Sequence, residues 1–259
     1  MTIFRSSALI AAMLIAGCSA PQSANKAPGV PEAASSPAAS GARLSGEKEQ
    51  EALAFLTVFG KAPPLVRQVD HDQETTSPVQ LIRQGDRAIL ITTTELGQGC
   101  HYCGGSLGIY YLKRAGDTFT VVGKFPRATL SGSFGRAPEW SVSNKFGSVP
   151  TLVARNGTGG QGYACGSIEL IELAADRPRK LVRVTADEDG TGDGPRPNPG
   201  SFQLKGEIGE IVPGKSFTMN YTGIKVGAGP QSFSEAYVRT ANGYSLVGKS
   251  KLQPCNLLD

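Results

Sequence analysis

The sequence predicts an all-β fold of repeated four-stranded antiparallel meanders, arranged either propeller-like or as stacked sheets, with one short N-terminal helix. From about residue 78, apolar residues recur with a period of two, as in half-buried strands. The chain has 33 glycines in 259 residues, against a usual share of about 7%, which favours frequent turns. The net charge of +4 is too small to indicate a nucleic-acid partner.

The first 17 residues have the composition of an export signal peptide. Arg5 supplies a positive charge, and residues 8–16 form an uncharged, mostly apolar run. This run is shorter than the roughly 17–25 residues that a membrane span needs, and it matches the apolar core of a signal peptide. We therefore predict export, with residues 1–17 removed.

The string Leu14-Ile15-Ala16-Gly17-Cys18 resembles the lipobox of bacterial lipoproteins. The resemblance covers the signal region alone and implies lipid on the Cys18 thiol and anchoring in the cell envelope of a bacterium. Ser19 follows in place of the Asp that would retain the protein at the inner membrane, which points to the outer membrane, facing the periplasm. Residues 18–46 are then a disordered linker, since 21 of the 28 residues from 19 to 46 are Ala, Ser, Pro or Gly.

An N-terminal helix is predicted within residues 47–62, from Glu47 to Phe59. Apolar residues recur there at spacings of three and four. Ser45 is the expected N-cap and Gly60 the expected stop, and the following Pro63-Pro64 bars any continuation.

Residues 63–259 form the predicted β-rich domain, with three similar units at about 78–127, 138–189 and 203–252. Similar Gly-rich segments containing Cys and Ser precede a strand in the first two units, and the string at 111–124 resembles that at 237–249. A repeat of this length is typical of propellers and other stacked β-assemblies. The Gly-rich segments 97–106, 157–167 and 223–231 would then gather on one rim, as a candidate binding surface.

The chain has five cysteines, and four remain once Cys18 is assigned to lipid. The other four, Cys100, Cys103, Cys165 and Cys255, are even in number, and an oxidising compartment favours two disulfides. One arrangement pairs Cys103 with Cys165 and Cys100 with Cys255. Another pairs Cys100 with Cys103 and Cys165 with Cys255. The sequence leaves the pairing open.

Several motifs suggest chemistry that their context does not support. Cys100-His101-Tyr102-Cys103 has redox spacing and one possible zinc ligand in His101, but a strand follows where a redox motif needs a helix. The string 104–108 matches G-x-S-x-G and 243–250 matches a Walker A loop, yet both occur in strand-like sequence. The Asp70-His71-Asp72 cluster is expected in a loop between the helix and the sheets. We therefore assign no catalytic residue and no nucleotide site.

The acidic string 187–193 suggests one metal site. Asp187, Asp189, Thr191 and Asp193 take positions 1, 3, 5 and 7 of a calcium-loop pattern, with Gly192 at position 6. Asn198 stands where a bidentate Glu is needed, so the expected site is incomplete. Calcium is the one cofactor that the sequence suggests, and the alternative is a solvated hairpin tip.

The sequence best fits a lipid-anchored envelope protein with a binding or scaffolding role. Its partners would be the membrane, through the N-terminal lipid, and an unidentified envelope protein or glycan. The alternatives are an envelope enzyme, either a thiol redox protein or a hydrolase, and a calcium-stabilised structural module.

Overall fold

Strands dominate the chain, as a sequence rich in alternating apolar residues and glycine turns requires. The computed structural model describes residues 38–97, 103–129, 132–160, 162–190, 201–253 and 255. The elements are α1 (Ala38–Phe59), β1 (Leu65–Val69), β2 (Asp72–Gln84), β3 (Arg87–Leu96), β4 (Ser106–Ala115), β5 (Thr118–Phe125), β6 (Glu139–Ser143), β7 (Thr151–Gly160), β8 (Tyr163–Leu173), β9 (Pro178–Asp189), β10 (Phe202–Val212), β11 (Ser216–Lys225), β12 (Gly229–Thr240) and β13 (Gly243–Leu246).

Helix α1 begins at Ala38, nine residues before the expected start at Glu47, so Ser45 lies inside the helix and is not its N-cap. The helix ends where the sequence predicts. Gly60 adopts a φ of 70°, and its N–H donates to the Leu56 carbonyl at 2.7 Å, which is a common glycine C-cap. Within the described part of the chain, no helix has the length and apolar character needed to cross a bilayer.

Sheet A contains β1 to β5 in chain order, all antiparallel, and is curled into a half-barrel. Its first strand, β1, and the first residues of β2 precede the predicted start of the β-region at residue 78. Asp70 and His71 form the tight turn between these strands, with Asp70 at a φ of 52°. The acidic cluster around His71 therefore belongs to a hairpin turn within the sheet, and not to a loop between helix and sheets.

Sheet B contains β6 to β13, also in chain order and antiparallel. Because β9 pairs with β10, through Asp187 with Lys205 and Asp189 with Gln203, the second and third predicted units belong to one continuous sheet. The all-β class and the antiparallel meanders are confirmed, whereas separate propeller-like units are not. The similar strings at 111–124 and 237–249 correspond to two hairpins with two-residue turns, β4–β5 and β12–β13.

The two faces of sheet A are buried against different partners. Leu90 and Tyr110 pack with Phe55 of α1 on one face. On the other face, residues such as Ile89 and Ile109 pack with apolar residues of β7 and β8 in sheet B. Since successive side chains of a strand point to opposite faces, β3 and β4 need a nearly continuous apolar sequence.

The C-terminal strands of sheet B curl around a core of their own, rich in aromatic residues. Arg239 of β12 reaches Glu172 of β8 at 2.9 Å, although three strands separate β12 from β8 in the sheet order. A Cβ atom added to Gly243 of β13 would lie 1.9 Å from the carbonyl oxygen of Leu181 in β9. Only a strongly curled sheet brings these strands together, and only glycine allows the β13 backbone to approach so closely.

Candidate functional site: a cavity at one end of sheet B

A cavity of about 590 Å³ lies where five strands of sheet B end or begin. It falls within the usual size range of small-molecule sites, about 300–1,000 Å³. We call it the strand-end cavity. It is lined by residues 157–158 of β7, 164–166 of β8, 187–189 of β9, 203–205 of β10 and 222–224 of β11.

Small residues leave space for the cavity in this part of the sheet. A side chain added at Gly166 would bring its Cβ to 2.5 Å from Asp187 Oδ2, whereas a Cβ at Gly157 would meet nothing closer than 3.9 Å. Gly166 therefore makes room for the acidic side chain on the neighbouring strand, and Gly157 leaves open space. Two of the three predicted Gly-rich segments, 157–167 and 223–231, contribute to the cavity, although they are strand ends and hairpins and not open loops.

Two acidic side chains of β9 already have partners. Asp187 accepts a hydrogen bond from Arg155 Nη1 at 2.7 Å, and Arg155 also donates to the Gly206 carbonyl at 3.0 Å. Asp189 accepts from the amide of Gln203 at 3.3 Å. Lys205, the cation in the cavity wall, pairs with Glu207 at 2.9 Å.

Glu188 differs from its two neighbours. It contributes to the cavity wall, but its side chain is only 7% exposed and points to the opposite face of β9. Burial raises the pKa of the Glu188 carboxyl, and a backbone hydrogen bond from Gln253 offsets part of that effect. Its Oε2 atom is buried without a hydrogen-bond partner among the described residues, which costs about 1–3 kcal/mol.

Thr158 of the cavity wall also carries a buried polar atom. Its Oγ1 atom makes no hydrogen bond within the described residues. Nearby, burial and then the charge of Glu188 raise the pKa of Tyr163. Both oxygens, Glu188 Oε2 and Thr158 Oγ1, are enclosed by the protein and are not part of the accessible cavity surface.

A second groove of about 440 Å³ adjoins the strand-end cavity and shares Gly157 and Asp187 with it. Its rim carries Phe134, which is 52% exposed and held at a φ of 53°. The loop at 132–137 is fixed by backbone hydrogen bonds, among them Gly105 N–H to the Arg136 carbonyl at 2.9 Å. A bulky residue in left-handed backbone requires this kind of support.

One disulfide expected from the sequence is present in the described residues. Cys165 of β8 forms a disulfide with Cys255, which excludes a Cys103–Cys165 bond. Cys103 is also disulfide-bonded. Cys18 and Cys100 lie outside the described residues, as does His101 of the C-x-x-C string.

Two of the four residues of the expected calcium site lie in the described part of the chain. Asp187 and Asp189 line the strand-end cavity and are engaged by Arg155 and Gln203. Thr191 and Asp193 lie outside the described residues. No group of three or more His, Cys, Asp or Glu within the described ranges is placed to hold a metal ion. A calcium site here stays a prediction from the sequence.

The motifs that resemble enzyme loops are parts of strands. Ser106 of the G-x-S-x-G string begins β4 and is buried. The Walker-like string contains β13, and its Ser250 hydroxyl donates to Glu235 Oε1 at 2.9 Å. Glu235 is itself buried and also accepts from the Lys251 backbone N–H at 2.8 Å, so these contacts hold the C-terminal segment against β12.

Sequence reasoning missed Glu188 as a wall residue of the cavity, whereas Thr158 falls within the predicted segment 157–167. The string Asp187-Glu188-Asp189 shows three acids on one strand, and alternation alone places the middle one on the opposite face from its neighbours. That signal could have separated Glu188 from the two paired aspartates. Comparison of the chain with protein-family models, curated proteins and solved structures finds no match.

Proposed function

We propose that this protein is a lipid-anchored binding protein of the bacterial cell envelope, and that it holds its ligand in the strand-end cavity. One observation carries the binding role. A cavity of ligand size, about 590 Å³, lies where five strands of sheet B end or begin, and glycine, Ala164 and Ile224 share its wall with Asp187 and Asp189. Ligand pockets typically combine an apolar lining with a few polar groups, as this wall does.

The anchor rests on the lipobox-like string ending at Cys18 and on the tether that follows it. With α1 beginning at Ala38, a flexible linker over residues 18–37 would have a root-mean-square reach of about 25 Å, from roughly 5–6 Å × √n. The binding domain would stay near the outer membrane, facing the periplasm. The disulfide between Cys165 and Cys255 suits an oxidising compartment.

Native mass spectrometry of the full-length protein, purified in detergent from its own envelope, tests the binding role. We expect the wild-type protein to retain a small molecule that denaturation releases. Gly157→Trp should abolish this adduct, because Gly157 lines the cavity and a Cβ there meets open space. Ala164→Trp, in the same wall, should act in the same way.

The matched control is Gly147→Trp, since a Cβ at Gly147 also meets nothing within 4 Å, and this residue lies outside the cavity wall. It should retain the adduct at the wild-type level. A wild-type protein without any bound molecule, or an adduct that survives both cavity-filling variants, would contradict the proposal.

The anchor is tested separately by fractionation. Wild-type protein should pellet with membranes and carry acyl chains on Cys18, whereas Cys18→Ser should lose the acyl mass and leave the outer-membrane fraction. An unmodified Cys18 in the exported protein would overturn the localisation and leave the binding role untouched.

A further inference from the structure

We propose that one end of the molecule, where hairpin turns of both sheets meet, binds the anionic headgroups of a lipid membrane. This surface, the basic turn end, consists of segments 83–87, 113–117 and 174–180, which contain the turns β2–β3, β4–β5 and β8–β9. The inference goes beyond ligand binding in the strand-end cavity. It extends the proposed lipid anchor from an attachment at Cys18 to a contact made by the folded domain.

The three segments form one continuous surface. The Arg114 N–H donates to the Asp86 carbonyl at 2.8 Å, which joins the two turns of sheet A. The Arg87 guanidinium donates through Nη1 to the Ala175 carbonyl at 2.9 Å, which joins them to the β8–β9 turn of sheet B. The charges of all three turns therefore act together.

Positive charge is concentrated at the basic turn end. Its acidic residues are Asp86, Asp117 and Asp176. The resulting excess of four positive charges equals the net charge of +4 of the whole chain, so the rest of the chain is balanced. The seven basic side chains are all exposed, and they are Arg83, Arg87, Lys113, Arg114, Arg177, Arg179 and Lys180.

Folding alone does not account for this arrangement of charge. Arg87 of β3 lies directly opposite Lys113 of β4, and like charges in such a pair destabilise a sheet. Within the described residues, Arg87, Lys113 and Arg114 form no ion pair with an acidic side chain. An anionic partner outside the chain would supply the missing counter-charge.

The acids near the β8–β9 turn leave positive charge uncompensated. Glu172 binds two arginines, Arg179 at 3.0 Å and Arg239 at 2.9 Å, so one of the two charges has no counterpart. The Arg239 N–H also donates to the Lys215 carbonyl at 2.7 Å, and Lys215 is exposed. The basic surface thus continues from the turns of sheet A onto the β10–β11 turn of sheet B.

The position of α1 favours a membrane as the anionic partner. Glu47 and Glu51 line a cavity of about 400 Å³ together with Arg83, so the N-terminal part of α1 lies beside the last residues of β2. The chain leads from there back to Cys18, and a lipid on Cys18 would keep the basic turn end close to the headgroups. Each Lys or Arg near an anionic membrane surface strengthens binding about fivefold.

Vesicle cosedimentation tests this contact without the anchor. The mature chain, residues 18–259 with Cys18→Ser, is exported behind a cleavable secretion signal so that no lipid is attached. We expect it to bind vesicles of equal parts phosphatidylcholine and phosphatidylglycerol at least about tenfold more tightly than vesicles of phosphatidylcholine alone. This preference should disappear in about 1 M salt, where the screening length falls to about 3 Å.

Two charge-neutralising double variants locate the contact. Arg87→Gln with Lys113→Gln should weaken binding to the anionic vesicles at least about tenfold, and Lys113→Gln with Arg114→Gln should act in the same way. The matched control is Arg136→Gln with Lys249→Gln, which removes the same net charge from exposed positions outside the basic turn end. It should bind within about twofold of the parent. A melting curve of each variant confirms that it is folded.

Equal binding to neutral and anionic vesicles would overturn the proposal, and so would equal weakening by the control and by the basic-turn variants. The second result would mean that net charge alone drives the association. The anchor fails separately, because an unmodified Cys18 in the exported protein would overturn lipidation while vesicle binding through the turns would stand. A lipidated Cys18 in a protein whose unlipidated form ignores anionic vesicles would overturn the membrane contact alone.

Discussion

Sheet A and the curled part of sheet B bury their apolar side chains in different ways. Strands β3 and β4 are covered on both faces, so residues 88–92 and 106–112 are all buried. Strands β10 to β12 instead alternate buried and more exposed residues, because a curled sheet has one inner and one outer face. Sheet A therefore depends on partners, α1 and sheet B, whereas the curled strands close around their own core.

The same difference explains where the candidate site lies. The double covering of sheet A leaves its central strands no open face, and the strand-end cavity lies wholly in sheet B. The curled strands are additionally fixed by a disulfide and by buried polar contacts to the C-terminal segment. Four variants test this division.

Phe55→Ala should have the largest effect. Phe55 is fully buried between α1 and sheet A, and truncation of such a side chain costs about 3–5 kcal/mol. Urea unfolding would measure the loss, with Leu56→Ala as the control, since Leu56 is 45% exposed. A loss no larger than that of Leu56→Ala would contradict a stabilising contact between Phe55 and sheet A.

Removal of the disulfide by Cys165→Ala with Cys255→Ala should cost about 2–4 kcal/mol. The bond closes a loop with a sequence separation of 90 and includes most of sheet B. Thermal unfolding would measure the change, and reduction of the wild-type protein should reproduce part of it. A variant as stable as oxidised wild type would mean that the aromatic core alone closes the curled strands.

Glu235→Gln should cost roughly 1.5–3 kcal/mol, the usual value for hydrogen bonds to a charged group. The buried carboxylate accepts from the Ser250 hydroxyl and the Lys251 N–H, and the amide replaces only part of this pairing. Hydrogen exchange should accelerate in the segment around residue 251. Glu210→Gln, on an exposed position, is the control, and identical exchange in the two variants would exclude a role for Glu235 in holding this segment.

Glu188→Gln should have the smallest effect on stability, and of opposite sign. Burial raises the pKa of Glu188 in the folded state, so the charged form is disfavoured there and wild-type stability falls as the pH rises above the unfolded pKa of the carboxyl. The uncharged variant does not lose stability in this way. In thermal unfolding it should therefore be more stable than wild type at pH 7 and equally stable near pH 4. A loss at pH 7 would mean that the hydrogen bond from the Gln253 backbone outweighs the cost of burying the charge.

The sequence predicts local features of this fold well. Alternation identifies the strands of the curled region, and Gly60 with Pro63-Pro64 marks the helix end. It misses β1, whose five residues are mostly exposed and show no regular alternation of apolar and polar side chains. It also misses the start of α1 at Ala38, where Ala and Ser residues suit a helix and a linker alike.

The candidate site is harder to predict because it depends on contacts between distant residues. The glycines and acids that line the cavity are visible in the sequence, and the calcium hypothesis grouped Asp187 with Asp189. What separates Glu188 from these two is the pairing of Asp187 with Arg155, 32 residues earlier in the chain. Strand alternation fixes which face a side chain occupies, whereas its partner depends on how the sheet curls.

The bond between Cys165 and Cys255 also has a mechanical consequence. When the two ends of the chain are pulled apart, the residues enclosed by this covalent loop cannot extend, even if their strands separate. With a sequence separation of 90, the bond withholds about 300 Å of contour length, at roughly 3.3–3.6 Å per residue. Under load the chain would therefore lengthen through α1, sheet A, β6 and β7, while the strands from β8 to β13 stay linked at their two ends.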